Sequence, residues 1–260
     1  MDGSLENPLA AAVLVAAFLV LAPLSLTVLR EGRSGDPFTW LEVLGRYGLI
    51  VTWAFVAPLA VANHLRPETL LWLFGPEVGD GGLAEYATVA AWACAAILAA
   101  RLALVTQGWE RALYALAAAG AFVLFGEEIS WGQWLFNWGS PAFFAENNLQ
   151  SETNAHNFFP PEVFDAAYAI AGLIIAGLVG MLRFGRGLGP IVTALRQWPP
   201  ARWIGHSRHG VPLAFSAAVL MQHHMFQEVA EMALSLAVLY ALWWTVSRAA
   251  LGRPVEFAPA

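Results

Sequence analysis

The sequence predicts an all-α polytopic membrane bundle of about seven transmembrane helices, with the N-terminus outside and the C-terminus cytoplasmic. Three observations predict it. Of 260 residues, 58% are hydrophobic and 12% charged, where a soluble domain carries about a quarter charged residues. Apolar runs of membrane-crossing length recur along the chain, and acids and arginines separate into alternate gaps between those runs.

A helix that crosses a bilayer needs about 20 mostly apolar residues. Such runs fall at 8–29, 47–64, 83–105, 112–134, 162–183, 211–226 and 229–248. The first follows Asp2 and Glu6 with no basic residue before it, and it exceeds a signal-peptide core in length, so it reads as a retained span. The weakest boundary separates the last two runs, because Gln222 to Glu231 contains no Gly, Pro or Asn to mark a turn. One helix across both runs would extend about 58 Å, roughly twice the hydrocarbon core, so a hairpin is expected.

The gaps orient these runs. Twelve of the thirteen arginines (Arg30, Arg33, Arg46, Arg101, Arg111, Arg183, Arg186, Arg196, Arg202, Arg208, Arg248 and Arg253) lie in alternate gaps or the C-terminal tail, leaving only Arg66 on the other side. Short Arg-rich loops stay cytoplasmic. Fourteen of nineteen acids lie with Arg66, which gives the outward side −13 and the inward side +7. That outward charge excludes nucleic acid as a partner there, and the inner arginines face inner-leaflet lipids. The expected location is the inner (cytoplasmic) membrane, as a single domain over 1–260.

Several gaps carry local signals. Ser140-Pro141 has the form of a helix start, with Ser as N-cap and Pro at the first helical position, and Pro160-Pro161-Glu162 opens the fifth span similarly. Pro67 to Phe74 and Ile191 to Trp198 are too short to cross and read as interfacial segments. Trp131, Trp134, Trp138, Trp243 and Trp244 sit near span ends, where an aromatic belt is expected. Cys94, the single cysteine, is expected to be a small buried hydrophobe.

Three outward clusters carry the candidate chemistry. Glu127 and Glu128 stand together before the predicted end of the fourth span, where an ionisable group costs a few kcal/mol unless it is paired or wet. Neighbouring residues on a helix point about 100° apart, so one of the two can face the bundle interior while the other bonds a neighbour. Gly126 and Gly132 are expected to permit close helix approach. The following loop, Glu146 to Asn157, is a run of amides with Glu152 and His156. The third cluster runs from Gln222 to Glu231. If it is helical, His224, Glu228 and Glu231 fall at i, i+4 and i+7 on one stripe.

Carboxylate and imidazole groups of this kind suit zinc, iron or manganese. A divalent metal on His156, His224, Glu228 and Glu231, with Glu127, Glu128 and Glu152 as catalytic carboxylates, would make a hydrolase or transferase acting on a lipid-linked or amphiphilic substrate. A second reading places a b-type haem between His64 and His223 or His224. A third is non-catalytic, a receptor or assembly subunit in which the clusters bind a ligand or clamp helices. Transport is disfavoured, because transport sites sit near the midplane and these charges crowd one face. No HExxH, nucleophile-elbow, P-loop or dinucleotide fingerprint occurs.

The strings Glu127-Glu128-Ile129-Ser130-Trp131-Gly132-Gln133 and Gln150-Ser151-Glu152-Thr153-Asn154-Ala155-His156-Asn157 resemble a group of uncharacterised bacterial multi-pass membrane proteins, over roughly residues 122–160. The chain is also distantly similar to the CPBP intramembrane proteases. Those show Glu-Glu-x-x-x-Arg, Phe-x-x-x-His and His-x-x-x-Asn, where this chain has Gly132, Glu152 and Glu228 in place of the Arg, Phe and Asn.

Overall fold

The computed structural model describes residues 47–66, 70–74, 82–136, 138–184, 189–206, 210–223 and 226–250. The predicted first span, and the turn residue His224, lie outside them. Among the described residues the chain is helical with no strand.

Among the described residues, four helices are long and apolar enough to cross a membrane. They are α1 (Tyr47–Leu65), α3 (Leu83–Val105), the Asp165–Phe184 part of α7 (Pro161–Phe184) and the Gln227–Val246 part of α11 (Gln227–Ala250). The other helices are α2 (Leu71–Phe74), α4 (Gly108–Glu128), α5 (Gln133–Phe136), α6 (Ala142–Asn147), α8 (Pro190–Gln197), α9 (Pro199–His206) and α10 (Gly210–Leu220). Among the expected runs, 83–105 is reproduced to the residue, and Pro161 opens α7 as its Pro-Pro-Glu start suggests. The run 112–134 is shorter than expected, because α4 ends at Glu128.

α11 is the central element. Of its membrane-length window 56% is buried, against 11% for α7. Small residues make this possible: Ala230, Ala233, Ser235, Ala237 and Ala241 are all nearly inaccessible, and Ala91, Ala95 and Ala99 form a matching buried row on α3. Without a hydrophobic force between helices in lipid, such rows let backbones approach and gain dispersion contacts. One core layer joins α3, α4 and α11 through Trp92, Leu102, Tyr114 and Leu242. Another joins α7, α10 and α11 through Val179, Leu213 and Tyr240. A third sets Val56 and Ala60 of α1 against Leu220, Met221 and Val229.

α3 and α4 form a tight antiparallel hairpin through Thr106 and Gln107. Arg111 donates from Nε to the carbonyls of Ala103 and Thr106, satisfying acceptors that the end of α3 leaves open. The last two runs are separate helices, α10 and α11, packed on each other as the hairpin expectation required. Their junction falls earlier than read, since α10 stops at Leu220 and α11 starts at Gln227. Cys94 corrects its expected burial: it is exposed on α3.

Gly172 marks a close crossing. A Cβ there would lie 2.4 Å from Gln222 Nε2 and 2.6 Å from the Ala218 carbonyl oxygen, so α7 lies directly on the end of α10. One turn earlier, the same helix carries Tyr168.

Candidate functional site

The helical path of α4 stops abruptly after Glu128. Ser130, Trp131 and Gly132 have φ of 46°, 54° and 93°, three successive residues in the left-handed region. For the two that are not glycine this costs about 1–3 kcal/mol each, and it persists only where the surroundings over-determine it. The surroundings are visible. The reversed chain lays the Trp131 indole over Gly126, where a Cβ would meet the ring at 2.9 Å, and the indole Nε1 donates to Glu127 Oε1 at 2.7 Å. Gly126 therefore makes room for the chain's own reversal, not for a neighbouring helix. Gly132 likewise serves the turn, facing the Phe136 ring.

Glu127 then closes the long loop. Its Oε2 accepts the backbone N–H groups of Ala155 (2.7 Å) and His156 (3.1 Å), which open the single turn His156–Phe158. A carboxylate at that end meets N–H groups that have no intrahelical acceptor. The same oxygen lies 3.5 Å from His156 Nδ1. Burial pulls the His156 pKa below its ordinary 6.5, more than the Glu127 carboxylate beside it pushes it up.

Glu152 is the second anchor. Its Oε2 accepts from Ser130 Oγ (2.9 Å), Asn154 Nδ2 (2.8 Å) and Asn157 Nδ2 (3.3 Å). Asn154 is almost wholly buried and also donates to Ser130 Oγ at 3.0 Å. Asn148 Oδ1 accepts the N–H groups of Gln150 and Glu152, while its amide nitrogen donates to the carbonyl and side-chain oxygens of Asn154. Gln133 Oε1 accepts the Thr153 N–H at 2.7 Å. The two strings singled out in the sequence thus fold onto each other as one hydrogen-bonded knot.

Ser140 corrects its expected role. The cap position of α6 is held by Pro141 with no side-chain cap bond, and the Ser140 hydroxyl lies instead against Gln133 Oε1 and the Ser151 carbonyl.

Of the expected site residues, Glu127, Glu152 and His156 are brought together, and Glu128 is the half-buried last residue of α4. The third cluster divides. α11 begins at Gln227, so Glu228 and Glu231 share a helix while His224 lies outside the described residues. Glu231 turns to another place: Tyr168 of α7 donates its hydroxyl to Glu231 Oε1, and Glu85, buried in the first turn of α3, is its electrostatic neighbour. Beside them Gln227 donates to Asp165 at 2.9 Å. Among the described residues no group of three or more His, Cys, Asp or Glu side chains is arranged to hold a metal ion. The lone pairs of Glu127 Oε2 and Glu152 Oε2 are moreover taken by donors of the chain itself.

His64, near the end of α1, and His223, beyond α10, are both exposed; His223 meets the Phe226 ring edge-on. Sequence reasoning missed Ser130, Gln133, Asn148, Asn154, Glu85 and Tyr168. The amides had a signal, since they crowd a loop otherwise poor in charge. Glu85 had one too, as the only acid inside the run 83–105. Tyr168 had none.

Comparison with protein-family models, with curated proteins and with solved structures finds no match for this chain.

Proposed function

We propose that the chain is a multi-pass protein of the cytoplasmic membrane, seven spans with its N-terminus outside. Its outward face carries a hydrolytic or group-transfer site for a lipid-linked or amphiphilic substrate. The observation that carries this reading is the Glu127–His156 pair. Glu127 is fixed by N–H donors from Trp131, Ala155 and His156 and faces Nδ1 of the imidazole. A carboxylate at Nδ1 favours the tautomer whose basic nitrogen is Nε2. The lowered pKa keeps that imidazole neutral near pH 7, the state a general base needs.

In this reading Nε2 takes a proton from a water or hydroxyl as its oxygen attacks an ester or phosphoester of the substrate. The bond to the leaving oxygen breaks, and the same proton returns to that oxygen. Glu127 is a positioning residue, and Glu152 holds the loop that carries His156. The divalent metal of the sequence reading has no assembled donor set among the described residues.

The test uses purified protein in nanodiscs of bacterial polar lipid, with headgroup release followed by mass spectrometry. Turnover by the native chain, lost in His156→Ala while that variant remains folded at the assay temperature, supports the reading. Turnover equal in both, or absent from both, overturns it. Elemental analysis and a Soret scan of the same preparation decide the metal and haem readings.

The donors gathered on Glu127 Oε2 and Glu152 Oε2 favour a second reading, a receptor or assembly subunit whose knot is a rigid platform. There His156→Ala alters partner or ligand binding and no lipid is consumed.

A further inference from the structure

The outward loop is built inside-out. From Ile129 to Ala145 the sequence holds no charged residue and six aromatics: Trp131, Trp134, Phe136, Trp138, Phe143 and Phe144. Three of its polar side chains point inward, Ser130, Asn148 and Asn154 being 1%, 5% and 1% exposed, while Glu146, Asn147 and Ser151, at and just past the far end of α6, are exposed. Its aromatics point outward, Phe136 at 74%, Phe143 at 64%, Phe159 at 55% and Trp138 at 47%. In water this pattern wastes apolar burial, and soluble chains rarely show contiguous apolar patches of large size. At a bilayer it is the favoured arrangement: aromatic rings prefer the interface, and irregular backbone survives at depth only where its N–H and C=O groups are satisfied from within. The knot supplies that satisfaction through Glu127, Gln133 and Asn148.

The aromatic surface is also continuous with the helices below it. Trp131 meets Phe122 of α4 edge-on at 6.0 Å, and Phe122, Val123 and Leu124 are exposed along the same outer turn. Phe143, Phe144 and Phe158 pack on one another at 5.4–5.7 Å, and Phe136 meets Trp138 at 6.0 Å, so the aromatics of the loop gather in clusters.

We infer that the loop 129–159 lies in the outer-leaflet interface with its aromatic exterior against lipid, so that the Glu127–His156 pair is reached laterally from the bilayer. The occupant of the patch is phospholipid. Where the proposed hydrolase reading holds, the substrate is then one whose polar group sits at headgroup depth on a lipid anchor. The location itself does not depend on that reading.

The single cysteine makes the test clean. In a Cys94→Ala background, nitroxide labels are placed at Phe136→Cys and Phe143→Cys, with exposed Ile97→Cys in mid-α3 as the lipid-facing reference. Collision with oxygen, which partitions into lipid, is compared with collision with a neutral nickel chelate, which stays in water. Both loop labels are expected to give an oxygen-to-nickel ratio above one, on the Ile97 side of a water-exposed standard. A ratio below one places the loop in water and overturns the inference. Low collision with both reagents means that a protein partner or a second copy covers the patch, and overturns it equally. Should one label disturb folding, Phe159→Cys gives the same reading from the other end of the loop. His156→Ala leaves the ratio unchanged, so failure of the catalytic reading is distinguishable from failure of this one.

Discussion

The bundle holds its carboxylates in two different ways. In the loop after α4, Glu127 and Glu152 are met by backbone N–H groups, an indole, a hydroxyl and two amides. Between α3, α7 and α11, Glu231 is met by one phenol, that of Tyr168, with Glu85 close by. The difference follows from the backbone. A regular helix has committed its interior N–H groups to its own carbonyls, so an acid there depends on side chains of neighbouring helices. Irregular backbone has donors to spare, and an acid can organise a whole loop around itself.

Replacing the central amide of the knot would break the comparison most severely. Asn154→Leu strands Ser130, Glu152 and Asn148 together, and is expected to lower stability by about 3 kcal/mol, from several buried polar groups left unpaired. Thermal or denaturant unfolding in detergent measures it, and a loss no larger than that of Tyr168→Phe would show that the loop does not depend on its network. For the helical site, geometry should matter more than any one bond. Gly172→Ala forces its new methyl against the Ala218 carbonyl, and a loss of about 2 kcal/mol is expected because backbone cannot yield as a side chain tip can. Tyr168→Phe removes only the phenol donor and is expected to cost about 1 kcal/mol; a loss above that of Gly172→Ala would reverse the order argued here.

The smallest effect is a pH dependence confined to the loop. The His156 pKa is lowered on folding from 6.5, so the unfolded chain takes up its proton first as pH falls. The stability that His156 contributes is therefore whole above about pH 6.5 and drains away as pH falls through the folded value. Melting temperatures of the native chain and His156→Gln, compared across that window, should converge toward acid. Parallel curves would mean that the imidazole is not in the environment described.

Apolar period and length revealed the long helices, because a bilayer imposes both; α3 was legible to its last residue. The end of α4 was not. Three left-handed residues in succession have no simple sequence signature, and only Gly132 hinted at one. The pairing of Glu127 with His156 was legible as a shared predicted face but not as a bond, since donor and acceptor lie 29 positions apart in the chain. Glu231 was legible as an acid on α11 but not its neighbours Tyr168 and Glu85, which depend on how α3, α7 and α11 are rotated against one another. No count of charges along the chain contains that rotation.

The clamp at Ala155 has a last consequence, for inheritance. Glu127 grips the main chain there and not a side group, and Ala155 itself is exposed. The position should accept nearly any substitution that lineages try, with one exception: proline, which carries no amide hydrogen for the carboxylate to hold.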